Sequence, residues 1–284
     1  MTRPSVAPPS PAPRWSALTV GAWRWWYAVL GAVLVIGGLA LINLPGLNNV
    51  WGQALQFVLY ALIAVLLPWV LSRRAFAADW GWNVARPWRA AFIMGALTAL
   101  LVCVVNVIEA RDAAAAQASD TVLRGFGFGQ SAAFDIGMVL CIVALAPWGE
   151  EMLFRGLLYR SLRDGLARYV PVGVSAVVGA ALSAWLFASS HGGEGFDQQL
   201  WLLAGMGLLA VLAYEWTGSI IAPVMLHSIN NSVTMITGLR QPGVALAHPS
   251  IEVLAWAGPL LALGLLAVTA MLHRVLARRS RGSA

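Results

Sequence analysis

The chain has 284 residues, of which 60% are hydrophobic and only 11% charged, with a formal net charge of +6. Soluble domains carry about 25% charged residues, so a water-soluble enzyme, a nucleic-acid module and a disordered chain are all excluded, and the composition is that of a polytopic membrane protein. Every basic residue is arginine. With abundant Ala, Gly and Trp, that bias points to a GC-rich bacterial genome and so to the bacterial inner membrane.

Residues 1–16 hold five prolines and no apolar period, which reads as a disordered tail, followed by a single integral membrane domain over 17–284. A bilayer-crossing helix needs ~20 mostly apolar residues. Such windows fall at 26–44, 53–71, 90–108, 132–150, 171–190, 199–214, 218–237 and 251–273. The runs are continuous and do not alternate with period two, so they predict an all-α fold of about eight transmembrane helices and not a barrel. The first window is followed by no small-residue cleavage site and reads as a retained span, not a signal peptide.

Eight crossings place both termini on one side. Fifteen of the 18 arginines lie in the N-terminal segment, the 72–89 loop, the segment after the fourth window (Arg155, Arg160, Arg163, Arg168) and the C-terminus, against Arg111, Arg124 and Arg240 in the alternate loops. The positive-inside rule then puts both termini in the cytoplasm. The basic charge is explained by a lipid bilayer as partner, with no nucleic acid.

Ten tryptophans, Trp23, Trp80 and Trp82 among them, sit near window ends and are expected in the headgroup region, whereas Trp148, Trp185 and Trp256 are expected to pack inside. Gly31, Gly37, Gly95, Gly179, Gly205 and Gly207 are expected to let helices approach closely. Cys103 and Cys141 lie in apolar runs and read as small core hydrophobes. His248 and His273, at window edges, are expected to face solvent, and Glu109, Asp112, Asp120 and Asp197 to be solvated in outer loops.

Polar residues interrupt the windows in three places, APWGEEMLFRG (146–156), LFASSHGG (186–193) and APVMLHSINNS (222–232). Left unpaired in lipid, Glu150, Glu151, Arg155, His191, His227 and Asn231 would together cost on the order of 10 kcal/mol. They must therefore face one another or a water-filled cavity. Glu151 and Arg155 are spaced i, i+4 and can pair on one helix face, while Glu150 points about 100° away. His227 and Asn231 share the same spacing, as do Phe187 and His191. Pro147 removes a backbone donor just before the glutamates and is expected to kink the helix and open room for water.

The chemistry open to this set is hydrolysis. A buried carboxylate acts as general base on water, a neutral histidine shares that water or protonates the leaving amine, and a second histidine with an amide donates to an oxyanion. The sequence has no G-x-S-x-G elbow and no H-E-x-x-H zinc helix.

These residues resemble a known family. Glu150-Glu151-Met-Leu-Phe-Arg155 matches E-E-x-x-x-R, Phe187-Ala-Ser-Ser-His191 matches F-x-x-x-H, and His227-Ser-Ile-Asn-Asn231 matches H-x-x-x-N. Those are the motifs, in order, of the CAAX-protease and bacteriocin-processing family, also called Abi. The likeness covers a core of about 130–237. It implies an intramembrane glutamic endopeptidase acting on a peptide or membrane-protein substrate, in which Glu150 and His191 handle water, His227 and Asn231 form the oxyanion hole, and Glu151 and Arg155 support them. No cofactor is implied.

Two alternatives stand beside this reading. One is a zinc enzyme with the metal on His191, His227 and Glu150; the other is a non-catalytic membrane scaffold or bacteriocin self-immunity protein. Glu194, in HGGE, sits beside paired glycines that make a poor helix for fixed metal ligands. The motifs also pose a geometric problem, because Glu150 and His191 both come late in windows that run in opposite directions. They meet if the fourth helix continues past Glu150 towards residue 163, which is the favoured solution, or if the fifth span is short, tilted or broken.

Overall fold

In a computed structural model of the chain, residues 16–42, 49–72, 80–82, 87–111, 127–191, 196–239 and 250–282 are described. The described residues form eight helices and no strand. They are α1 (Trp26–Ile42), α2 (Asn49–Leu71), α3 (Pro87–Arg111), α4 (Ala132–Leu166), α5 (Val172–Ser189), α6 (Phe196–Thr217), α7 (Ile221–Leu239) and α8 (Ser250–Gly282). Each lies on one of the eight apolar windows. The chain is an all-α, multi-pass membrane protein.

Five of these helices, α2, α4, α5, α6 and α8, are long and apolar enough to cross a bilayer unaided. The apolar stretches of α1 and α3 are shorter, Trp26–Leu41 and Phe92–Val104. α7 carries the polar run from His227 to Ser232 in its middle. Such helices are tolerated where neighbours cover their polar groups.

The fourth window is the one most extended by folding. Ser131 caps α4, its hydroxyl accepting from the Phe134 N–H at 3.2 Å. From there the helix runs 35 residues, a length of ~52 Å at 1.5 Å per residue. It continues well past Glu150 and removes the geometric problem. α4 is the central helix, in contact with α1, α2, α5, α6, α7 and α8, while α3 packs on α6 and α7.

At one end of the bundle the chain segments expected on the cytoplasmic side come together. Gly81 and Gly218, both at positive φ (74° and 66°), meet so closely that a Cβ on Gly81 would stand 2.1 Å from the Gly218 carbonyl oxygen. Ile220 N–H and the Ser219 hydroxyl both donate to the Gly81 carbonyl, at 3.1 and 2.7 Å. Residues 16–25 cross the same end. Residues 1–15 of the expected tail lie outside the described residues, but Ser16 is not part of a loose tail: its hydroxyl bonds to the Glu215 carboxylate.

Several expectations are corrected here. Arg160 and Arg163 are not loop arginines but are buried in α4. Arg163 pairs with Asp164 and Glu215, each at 2.5 Å, and Arg160 pairs with Asp164 at 3.1 Å. Arg163 Nη2 also donates to the Leu18 carbonyl and Arg160 Nη2 to the Thr19 carbonyl of the crossing segment, at 3.0 and 3.1 Å. Arg155 is likewise buried and not a topology residue.

Trp23 and Trp80 are buried against each other, 5.5 Å between ring centroids, and His273 packs on Trp80 and Trp82 instead of facing solvent. In contrast Trp185 and Trp256 are exposed on the outer surface, Trp185 beside Trp201, and Cys103 is exposed while Cys141 is buried. Gly31, Gly179 and Gly207 do let helices approach; Gly37, Gly95 and Gly205 have nothing within 4 Å of a built Cβ. His248, Glu194, Asp112 and Asp120 lie outside the described residues.

Candidate active site

The site begins with an irregularity that proline imposes. Pro147 has no N–H to give to the carbonyl four or five residues earlier. α4 widens to π geometry over Cys141–Leu145, with the Ala146 N–H on the Cys141 carbonyl, and again over Met152–Tyr159. Between the two lies a short α-helical stretch, Ala146–Glu151, that ends on Glu150 and Glu151. Single π turns of this kind recur at functional sites. The helix is therefore irregular, with π turns on both sides of the glutamates. Gly149 lets α2 close in, since a Cβ there would lie 2.3 Å from the Phe57 carbonyl oxygen.

Both histidines turn Nε2 towards Glu150. His191 Nε2 lies 3.8 Å from Oε1 and His227 Nε2 lies 3.8 Å from Oε2. The opposite ring nitrogens are committed. His191 Nδ1 donates to the Phe187 carbonyl at 2.7 Å, and His227 Nδ1 donates to Glu151 Oε1 at 2.9 Å. These partners assign the tautomers, because a carbonyl and a carboxylate can only accept. Each ring thus turns to the Glu150 side a nitrogen that offers a lone pair when the ring is neutral and an N–H donor when it is protonated.

Glu151 and Arg155 support this arrangement from the same helix. Glu151 Oε1 also accepts from Arg155 Nη1 at 2.9 Å, while Arg155 Nη2 donates to the Gly207 carbonyl of α6 at 3.0 Å. The guanidinium lies 4.6 Å over the Phe187 ring. That ring in turn touches both imidazoles, with centroids 4.6 Å from His191 and 5.7 Å from His227. Two carboxylates and one guanidinium share this buried space, so a second positive charge near Glu151 has a ready counter-charge.

Access is uneven. The His191 side chain is 20% exposed, whereas those of Glu150 and His227 are 6% and 4%. His191, just past the C-terminal end of α5, is the most exposed of the three.

Five of the six sequence-predicted residues, Glu150, Glu151, Arg155, His191 and His227, stand in one contact set. Asn231 lies on the same face of α7 one turn on, but its Nδ2 donates to the Ile142 carbonyl of the first π turn at 2.9 Å. Sequence reasoning missed Ser228, whose hydroxyl donates to the neighbouring Val143 carbonyl at 2.5 Å. It also missed Tyr60 of α2, buried edge-on against Phe154 with its phenol oxygen accepting from Gln56 at 3.0 Å. The i, i+4 spacing of Gln56 and Tyr60 was a usable signal for that pair; nothing in the spacing of Ser228 pointed across to α4. Among the described residues no group of three or more His, Cys, Asp and Glu side chains is disposed to hold a metal ion.

Residues 132–233, which carry all six of these side chains, match the family described as Type II CAAX prenyl endopeptidase Rce1-like. Over this segment the chain is similar to the CAAX-protease and bacteriocin-processing (CPBP) family. The matched segment starts with α4 and ends within α7, so α1–α3 and α8 lie outside it. The chain is also similar to the Membrane-embedded CAAX protease MroQ of Staphylococcus aureus (strain USA300), 25% identical over 104 residues. That alignment covers 37% of this chain and 40% of the relative's length. No solved structure matches the chain significantly.

Proposed function

We propose that the protein is an intramembrane endopeptidase of the glutamic type, seated in the bacterial inner membrane with both termini cytoplasmic. Its substrate is a membrane-associated peptide or protein. The observation that carries this reading is the pair of imidazole Nε2 atoms 3.8 Å from the two oxygens of one buried carboxylate. That separation is too long for a direct hydrogen bond and suits a bridging water.

Glu150 takes a proton from water shared with His191, and the oxygen attacks the scissile carbonyl carbon as its π electrons move to oxygen. His227, carrying a proton on Nε2 with Glu151 as counter-charge, donates to that oxyanion together with the second N–H of Asn231. Collapse of the intermediate restores C=O and breaks C–N. The amine leaves with the proton that Glu150 holds, giving one acid and one amine.

The test is purified Glu150→Gln and His191→Ala protein incubated with membrane peptides. Both are expected to fold at wild-type yield and to lose cleavage. Near-normal turnover by Glu150→Gln would remove the general-base assignment. Wild-type protein that cleaves nothing, with cells carrying Glu150→Gln keeping their phenotype, would favour a non-catalytic scaffold or self-immunity role.

A further inference from the structure

We infer that Ser228 is a positioning residue of this site, and that Ser228 and Asn231 together replace the backbone donor that Pro147 lacks. The inference rests on the endopeptidase reading for its catalytic consequence, but its structural part does not.

A residue at position 147 would serve the Val143 carbonyl in an α register and the Ile142 carbonyl in a π register. Proline serves neither. Those two carbonyls are the ones that α7 reaches: Ser228 Oγ donates to Val143 O at 2.5 Å, and Asn231 Nδ2 donates to Ile142 O at 2.9 Å. In either register the carbonyl that position 147 would serve has a donor from α7, across two helices. α8 closes the third side, since a Cβ on Gly258 would stand 2.7 Å from Val143. The Cys141 thiol, at the start of the same turn, lies 3.8 Å from the Val50 carbonyl of α2.

The consequence reaches the chemistry along both helices. Ser228 directly follows His227 on α7, and the π turn directly precedes the stretch that presents Glu150. One bond therefore sets the register of α4 against α7, and with it the spacing of Glu150 from His227 Nε2. Losing the hydroxyl frees the turn to relax and moves the carboxylate relative to the imidazole. A displacement of that kind lowers turnover far more than substrate affinity.

A double-mutant cycle on the full-length protein in lipid nanodiscs tests this. Ser228→Ala is expected to lower kcat about 10-fold or more with KM changed less than about twofold, and Ser228→Thr, which keeps the hydroxyl, to restore most of it. Pro147→Ala returns an N–H at position 147, so on that background the Ser228→Ala loss in Tm and in kcat should shrink. Equal losses on both backgrounds would overturn the proposal, because the hydroxyl would not be serving what the proline orphans. If Pro147→Ala does not fold, the Ala and Thr variants at 228 decide, and equal kcat for both overturns it. If wild-type protein shows no peptidase activity, the endopeptidase reading fails, and the Tm cycle still decides whether Ser228 answers Pro147.

Discussion

His227 Nδ1 and Glu151 Oε1 lie 2.9 Å apart, and the same oxygen receives Arg155 Nη1 at an equal distance. One carboxylate oxygen thus orients an imidazole from α7 and neutralises a guanidinium from its own helix. On the proposed reading the second glutamate of the pair is a positioning residue; the first faces the two Nε2 atoms.

Replacing Glu151 with Gln keeps an acceptor for His227 but removes the counter-charge that an imidazolium needs. Turnover should fall roughly 10²-fold, the lower range for impaired acid–base catalysis, with little change in KM. Steady-state kinetics on a membrane peptide check this. Wild-type kcat in Glu151→Gln would mean that only the acceptor matters.

Arg155 has a different expected signature. Truncating it to Ala leaves Glu151 buried without its partner, a loss of about 3–5 kcal/mol by comparison with other broken buried pairs. Folded yield and Tm should drop sharply. Arg155→Lys should rescue poorly, since an ammonium cannot bond Glu151, reach the Gly207 carbonyl and stack on Phe187 at once. Size-exclusion profiles of the two variants give the answer.

The Arg163–Glu215 pair should behave as a stability element remote from the chemistry. Arg163→Met and Glu215→Gln are each expected to destabilise, while the double variant should cost less than the sum of the two. The kcat of the surviving protein should stay near wild type. A selective loss of kcat would tie this end of the bundle to catalysis.

For topology, reporters inserted in the 72–86 segment and fused after the C-terminus should both read cytoplasmic. The segments 16–25 and 80–82 and His273 meet at one end of the bundle: Trp23 packs on Trp80, which packs on His273. Opposite signals from the two reporters would break the arrangement.

Metal dependence is decided by dialysis of purified enzyme against a strong chelator. The general-base reading expects unchanged cleavage. Loss that is restored by zinc would move His191, His227 and Glu150 to a metal site.

Membrane character, the eight helices and five members of the candidate site were legible in one dimension because each rests on a local rule. Long apolar runs must be helical to satisfy their own backbone, and ionisable groups inside them must meet one another. The i, i+4 spacing then placed Arg155 with Glu151. Partners across helices were not legible. Arg160 and Arg163 had the spacing of loop arginines until Asp164, Glu215 and the carbonyls of residues 18 and 19 enclosed them. Trp23 and Trp185 exchanged their expected surroundings because the side a tryptophan faces depends on which helix lies beside it. Ser228 gave no sign at all. Its meaning comes from a carbonyl 85 positions earlier, orphaned by a proline. Sequence pattern determined which groups could not be left in lipid; only the packing of α4 against α7 decided which backbone and side-chain atoms would satisfy them.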